Sequence, residues 1–285
     1  MSRPLNADDE RAQARLALDA IGQMPDSELD LAGAALQLAR IDAPEADWKA
    51  ARDHLSELAR DAVAVAADRP GDDPAVRAGA LAGLMDGRWH YAGDRDSYDD
   101  PANANLIRVI ERRRGLPVAL GILWLHCARA AGWEVFGVDF PGHFMLALPG
   151  RKGQLILDVF AGGQPADARS LCALIKRVEG PKAELRPGLL APMAARSVLL
   201  RLQNNIRARR FDAGDTAGGL TVLEDMLRIA PDFAALWREA AVVNQRLDCV
   251  GAALRCYERF LDLVPEGEAA SRVRLTVDKL RTRLN

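Results

Sequence analysis

From Pro117 to Ala131 the sequence is apolar almost all round, with Val118, Leu120, Ile122, Leu123, Trp124, Leu125 and Cys127 on every face of the helix this stretch would form. Such a helix has no polar side to turn to water, so other elements must cover it on every side. Pro117 suits its first turn, where a missing N–H costs little, and Gly132 ends it. Beyond Gly132 the pattern changes to short β-type runs, Trp133 to Phe140, His143 to Leu148 and Gln154 to Phe160, with Pro-Gly and Arg-Lys-Gly turns between them. The expectation is a three-stranded antiparallel meander behind a central buried helix.

Before this core the sequence predicts helices over 7–22, 27–41, 45–67 and 74–86, punctuated by Pro25, Pro44, Pro70 and Pro74. In the first of them Ala14, Ala17, Leu18 and Ile21 share one apolar face, so this layer packs on something. Residues 87–101 carry Gly, Asp and Tyr without periodicity and read as a loop, followed by a short helix over 102–113 that ends at Gly115. From Pro165 onward helices return and nothing reads as strand.

Near the C-terminus, Leu220–Pro231 superposes on Leu254–Pro265 with a period of 34 residues, the tetratricopeptide spacing. In that frame Trp237, Ala253, Tyr257 and Pro265 take the repeat's packing positions and Ala241 complies as a small residue, whereas Phe260 departs from the pattern. Val273, Val277, Leu280 and Leu284 form the stripe of a terminal capping helix. A helix over 192–210, with Leu199, Leu202 and Ile206 at helical spacing, is the expected seam between a first domain, 1–190, and a second, 191–285.

Charge excludes one class of partner. The 38 basic residues are dispersed among 40 acidic ones, giving a net charge of -2, without the basic footprint of a nucleic-acid binder. Met1 to Glu10 has no apolar run to serve as a secretory signal, and no apolar stretch reaches the roughly 18 residues of a spanning helix. The four dispersed cysteines fit a reducing compartment. The expectation is therefore a cytoplasmic protein with no membrane and no nucleic-acid partner.

A site of the cysteine-protease or transglutaminase type needs a thiol at the N-terminus of a buried helix, a His on one strand and an Asp on the next. His143 opens the second predicted strand and Asp158 falls near the end of the third, so two of three parts stand in the expected order. A metal site on these two would lack a third ligand, and Asp94, Asp96, Asp99 and Asp100 do not follow a calcium-loop template. Arg112, Arg113 and Arg114 could hold an anion, although cations at a helix C-terminus are favoured anyway. Asn204 and Asn205 are poor helix-interior choices unless their amides find partners, at the junction or in a groove.

Several clusters together resemble one bacterial family. They are Tyr98, Asp100, Pro101, Asn103 and Asn105-Leu106; Glu111 with Arg113-Arg114-Gly115-Leu116-Pro117; Phe140-Pro141-Gly142-His143-Phe144; and Leu157-Asp158 with Phe160 and Gly162-Gly163. Over roughly residues 30–265 the chain resembles the SirB-like proteins, in which a transglutaminase-like region precedes tetratricopeptide repeats. The resemblance implies an α+β fold: a transglutaminase-like (papain-like) core with a small antiparallel sheet and a buried helix, preceded by a helical layer and followed by an all-α array. Active transglutaminase-like enzymes begin the buried helix with Gly-x-Cys, which is here Gly115-Leu116-Pro117; counting back 15 positions from Gly132 reaches the same proline. Cys127 is ten residues further, about 15 Å along the helix, and reads as core.

The expected function is thus a non-catalytic protein-binding or adaptor protein with a degenerate site. Its rival is a hydrolase or acyltransferase using His143 and Asp158 with an unconventional nucleophile. Candidate binding residues are Asn103, Asn105, Arg113, Arg114, Asn204 and Asn205. No cofactor and no metal is expected, and the expected partner is a protein or peptide.

Overall fold

The fold is that of a computed structural model, which describes residues 6–69, 71–151 and 153–283. The expected stop at Pro70, the leading Met1–Leu5, the turn residue Lys152 and the capping position Leu284 lie outside the described residues. The chain folds into two compact units. One runs to Ala14 and resumes over Pro25–Leu202; the other holds Arg15–Met24 and everything from Gln203 on.

The first unit opens with the beginning of α1 (Ala7–Gly22), then α2 (Leu31–Asp42), α3 (Trp48–Ala67) and α4 (Pro74–Ala82). Local chemistry starts each of them. Asn6, Asp30, Asp47 and Asp73 place a side-chain oxygen on the first free amides, at 2.8 to 3.1 Å, which stabilises a helix end by about 1 kcal/mol. The predicted helix over 74–86 continues past α4 as a π-helical turn, Gly83–Arg88.

Residues 87–101 are not all loop. Ala92–Gly93 (β1) pairs in parallel with Arg114–Gly115 (β2), which ties the segment to the entrance of the buried helix. Between them a 3-10 turn, Pro101–Ala104, precedes α5 (Leu106–Arg112), which Arg113 ends in the left-handed conformation at φ 57°, two residues before the glycine expected to do so. Next comes α6 (Pro117–Ala130), buried along most of its length and packed against α2, α3 and the sheet.

The sheet has four strands where three were expected. β3 (Phe136–Phe140), β4 (His143–Gly150), β5 (Gly153–Asp158) and β6 (Gln164–Pro165) lie in that order, all antiparallel. A two-residue strand is too short to show periodicity, and proline argues against it in sequence. Val138, Phe140, Met145, Ala147 and Ile156 form one cluster with Leu171 and Ile175 of α7 (Ala168–Glu179).

Gly121 of α6 and Gly137 of β3 both face the ring of Phe144, which is 1% exposed. A methyl group at either would intrude on the ring, so the two glycines make its slot.

α8 runs over Ala195–Asp212, with Leu199, Leu202 and Ile206 buried. In the second unit follow α9 (Thr216–Ile229), α10 (Ala234–Arg246), α11 (Val250–Leu263) and α12 (Glu268–Thr282). The 34-residue frame places their core: Ala241, Ala253, Tyr257, Phe260, Val273, Val277 and Leu280 form one buried cluster. Phe260, the residue that departs from the repeat, is accommodated there at 4% exposure. Tyr257 reaches Gln245 at 3.1 Å and the Trp237 indole donates to the Pro231 carbonyl at 2.7 Å.

Candidate functional site

Strand register brings the candidate dyad together. The Pro141-Gly142 turn, with Gly142 at φ 69°, pairs Phe140 with His143 and fixes His143 as the first residue of β4. The pairing of Leu146 with Leu157 then makes His143 and Asp158 diagonal neighbours on one face. His143 Nε2 lies 2.9 Å from Asp158 Oδ1. That oxygen also accepts from the Phe160 and Ala161 amides at 3.0 and 3.2 Å, so it caps the turn after β5 as well as orienting the ring. Burial pushes the Asp158 carboxyl up, but His143 and the two amides outweigh it and the net shift is downward. Nδ1 of His143 has no hydrogen-bond partner among the described residues.

Phe160 stands beside the dyad. Its ring stands edge-on to His143 at 6.2 Å and to the exposed Tyr98 at 5.8 Å, with the Arg95 guanidinium 5.9 Å from its centroid. It also lies against Gly93, whose strand partner Gly115 is two residues before Pro117. Pro117 itself is buried in the first turn of α6. Its saturated ring offers neither donor nor nucleophile at this helix end. Cys127 is no substitute: it lies in the core against Met85 and the Leu58 carbonyl, and burial pushes its thiol up to about 12.

The remaining candidates are dispersed. Asn105 is spent inside the fold, its oxygen capping α5 and its amide donating to the Ala39 carbonyl at 3.0 Å. Asn103 is fully buried and donates to the Ser97 carbonyl at 2.6 Å, while its Oδ1 has no partner among the described residues. The arginine run points three ways: Arg112 to Asp94 and Asp100, Arg114 outward to Asp96, and Arg113 inward. A single anion site made by all three does not form, because the left-handed turn at Arg113 breaks the helical order of the side chains. Asn204 and Asn205 belong to the second unit and the dyad to the first, and Asn204 Oδ1 is enclosed without a partner among the described residues.

Arg113 completes a cluster that no local pattern announces. Its guanidinium contacts His54 Nε2 and the Tyr91 hydroxyl, and lies 4.8 Å from the Tyr91 ring and 5.1 Å from that of Trp89. Arginine only donates, so Nε2 must carry the lone pair and Nδ1–H donates to Glu57 at 3.1 Å. Burial, with the charge of Arg113 beside it, outweighs the pull of Glu57 and Asp61 and lowers the His54 pKa. The unfolded chain therefore binds this proton first as pH falls, and the cluster's stability, full at neutral pH, declines below about 6.5. His54→Gln should flatten the fall in urea midpoint between about pH 7 and 5; an unchanged slope would show that the ring is not held neutral.

Among the described residues no group of three His, Cys, Asp or Glu side chains could hold a metal ion. None of their helices is long and apolar enough to cross a membrane.

Comparison with known proteins agrees with the order of the two regions along the chain. The profile described as transglutaminase-like superfamily matches residues 49–204, and that of the tetratricopeptide repeat matches 206–278. A UPF0162 protein of Pseudomonas aeruginosa is 30% identical over 246 residues, 86% of this chain and 87% of its own. A UPF0162 protein of Xylella fastidiosa is 30% identical over 187 residues, 65% of this chain, and the match spans only 66% of that relative. Protein SirB1 of Salmonella typhimurium is 23% identical over 200 residues, 70% of this chain and 74% of its own. The solved structure of menin aligns with a TM-score of 0.40 at 10% identity, over 91% of this chain and 70% of that one, a likeness too weak to assign a fold. With a transglutaminase-like region leading into tetratricopeptide repeats and the relatives that share it, the chain belongs to the transglutaminase-like superfamily and, within it, to the SirB-like UPF0162 family.

Proposed function

We propose that the protein is a non-catalytic binding or adaptor protein of the cytoplasm, whose degenerate transglutaminase-like core serves as scaffold and whose partner is a protein or peptide. The observation that carries this reading is Pro117, buried in the first turn of α6, the position that residue count equates with the thiol of the more distantly similar active transglutaminase-like enzymes. Tetratricopeptide repeats supply the partner-binding half of the reading, since stacked helix pairs present extended surfaces. One observation favours a rival, a hydrolase or acyltransferase: the intact His143 and Asp158 pair, with Nδ1 of the imidazole unpartnered among the described residues. An oriented base without a nucleophile accounts for little of a triad's rate, so the pair is read as a tie between strands.

The test is turnover of glutamine-containing peptides, by amide hydrolysis and by amine transfer, with and without an alkylating reagent. No turnover is expected. Turnover lost on alkylation or in His143→Ala would overturn the adaptor reading. Pro117→Cys is the complementary variant. A thiol with an ordinary pKa near 8.5 is about 3% thiolate at pH 7, whereas one lowered to about 6 by the helix dipole and a neighbouring imidazole is about 90%. The thiolate fraction favours that position about 30-fold and the lower nucleophilicity of a low-pKa thiolate takes back about tenfold, so alkylation should run about threefold faster than at an ordinary thiol. An ordinary rate would show that the site has lost its geometry as well as its nucleophile.

A further inference from the structure

An apolar groove of about 640 Å3 lies in the first unit, and neither His143 nor Asp158 lines it. Leu29, Leu125, Trp133, Phe136, Met193 and Val198 line it. That volume and lining suit an apolar ligand fixed by a few polar groups.

Two further observations say what kind of ligand. The first is an open strand edge. Along the outer side of β3, Val138 is bridged to Pro192 and the Gly137 carbonyl accepts from the Met193 amide at 2.8 Å, so the chain covers that edge from Gly137 onward. Glu134 and Val135, which precede β3 on the groove wall, make no backbone hydrogen bond among the described residues. Gly137 points its carbonyl outward, so by the alternation of an extended chain Val135 is the one of the two that turns its N–H and C=O to this edge, where an extended strand can pair with them.

The second is charge. The rim carries Asp26, Asp30 and Glu134 against Arg129. Asp26 is already paired with Arg196 at 3.0 Å, and Arg129 donates to the Leu29 carbonyl at 2.7 Å. Asp30 accepts from the Gly33 amide, which leaves its charge uncancelled. Glu134 is exposed and has neither ion pair nor hydrogen bond among the described residues. Arg129, bonded to a neutral carbonyl, keeps its charge as well, so Asp30 and Glu134 against Arg129 leave the rim one net negative charge beside an apolar floor and an open edge.

We infer that this groove takes an extended peptide of a partner protein, its backbone pairing with Val135, its apolar side chains in the groove and an adjacent lysine or arginine opposite Glu134 and Asp30. The inference rests on the adaptor reading, for which it supplies the class of partner.

The experiment measures, on the full chain, binding of fluorescein-labelled hexapeptides with three apolar residues followed by lysine, glutamine or glutamate. The lysine peptide should bind tightest and the glutamate peptide weakest. The two should differ about fivefold, as befits exposed ion pairs, and less as salt rises. Glu134→Lys, on an exposed side chain, should reverse that order without touching the core. Val135→Glu, with an unchanged circular dichroism spectrum, should abolish binding by putting charge into the groove.

Equal affinity for the three peptides, an unreversed order in Glu134→Lys, or no saturation below about 1 mM would overturn the inference. So would octylamine displacing the peptide at equal affinity, which assigns the groove to small amines, or self-association of the chain lost in Val135→Glu, which assigns it to a second copy. The two readings fail separately. Absent peptide binding in a chain without turnover removes the groove's occupant alone, whereas turnover removes the adaptor reading and leaves the binding result as measured.

Discussion

Phe144→Ala should destabilise the first unit by about 3–5 kcal/mol, the usual cost of emptying a buried aromatic site. The ring is 1% exposed and sits between Gly121 of α6 and Gly137 of β3, two positions without side chains that could collapse into the space. Truncation removes the transfer free energy of the ring and leaves a cavity the backbone cannot close. Gly121→Ala attacks the same contact from the other side. It gains about 1 kcal/mol of helix propensity but drives a methyl group into the ring, and overpacking of this kind costs about 1–3 kcal/mol.

Because the two residues touch, their effects should not add. Phe144→Leu in the Gly121→Ala background should be better tolerated than the two separate losses predict, the methyl filling space the ring leaves. Urea unfolding followed by a probe in the first unit measures the wild type, Phe144→Ala, Phe144→Leu, Gly121→Ala and the double variant. A loss below about 1 kcal/mol for Phe144→Ala, or strict additivity, would show that Phe144 does not fasten helix to sheet.

Arg15→Met should cost the second unit about 3 kcal/mol, the lower end of the range for breaking a buried ion pair. Asp225 is 4% exposed, and both its oxygens are held by the Arg15 guanidinium at 2.8 and 3.2 Å. Without Arg15 the carboxylate keeps, among the described residues, only the Arg228 guanidinium as ion-pair partner, at 3.5 Å. Asp225→Ala should cost less, since the side chain of Arg15 is 30% exposed and can reach water by itself. This asymmetry distinguishes a buried charge from a surface pair, in which either deletion costs under about 1 kcal/mol. Arg15→Met with Asp225→Leu should recover most of the loss, because the desolvation cost disappears with the charges. Equal, small effects of the two single variants in urea titrations would show that Asp225 finds water.

The same pair marks the limit of what local pattern conveys. Arg15 and Asp225 are 210 positions apart, and nothing around either residue signals the other. The helical layer was legible from the prolines that punctuate it, but two of its starts were not: helices expected from 27 and 45 begin at Leu31 and Trp48, where the Asp30 and Asp47 side chains cap them. The buried helix was legible because Pro117 to Ala131 has no polar face, and the repeat because its prolines recur at a fixed spacing. His143 and Asp158 could be placed on neighbouring strands since a period of two and a Pro-Gly turn fix which residues share a face. Pro117, the residue on which the functional reading turns, was named from sequence for the same reason: helix phase counts residues.

Tertiary structure decided the rest. The parallel pairing of Ala92–Gly93 with Arg114–Gly115 and the two-residue fourth strand are too short to carry periodicity, and they form because already folded neighbours offer them an edge. Asn103 and Asn105, polar and clustered in sequence, went into the core because backbone carbonyls there were in need of donors. Arg113 turned inward onto His54 and Tyr91, away from Arg112 and Arg114, because the chain reverses through a left-handed residue at that point. Sequence by itself thus determined which elements form and which side of each is apolar, since those depend on neighbours a few residues away. Which polar side chain meets which is set by burial, and burial exists only once distant segments have packed.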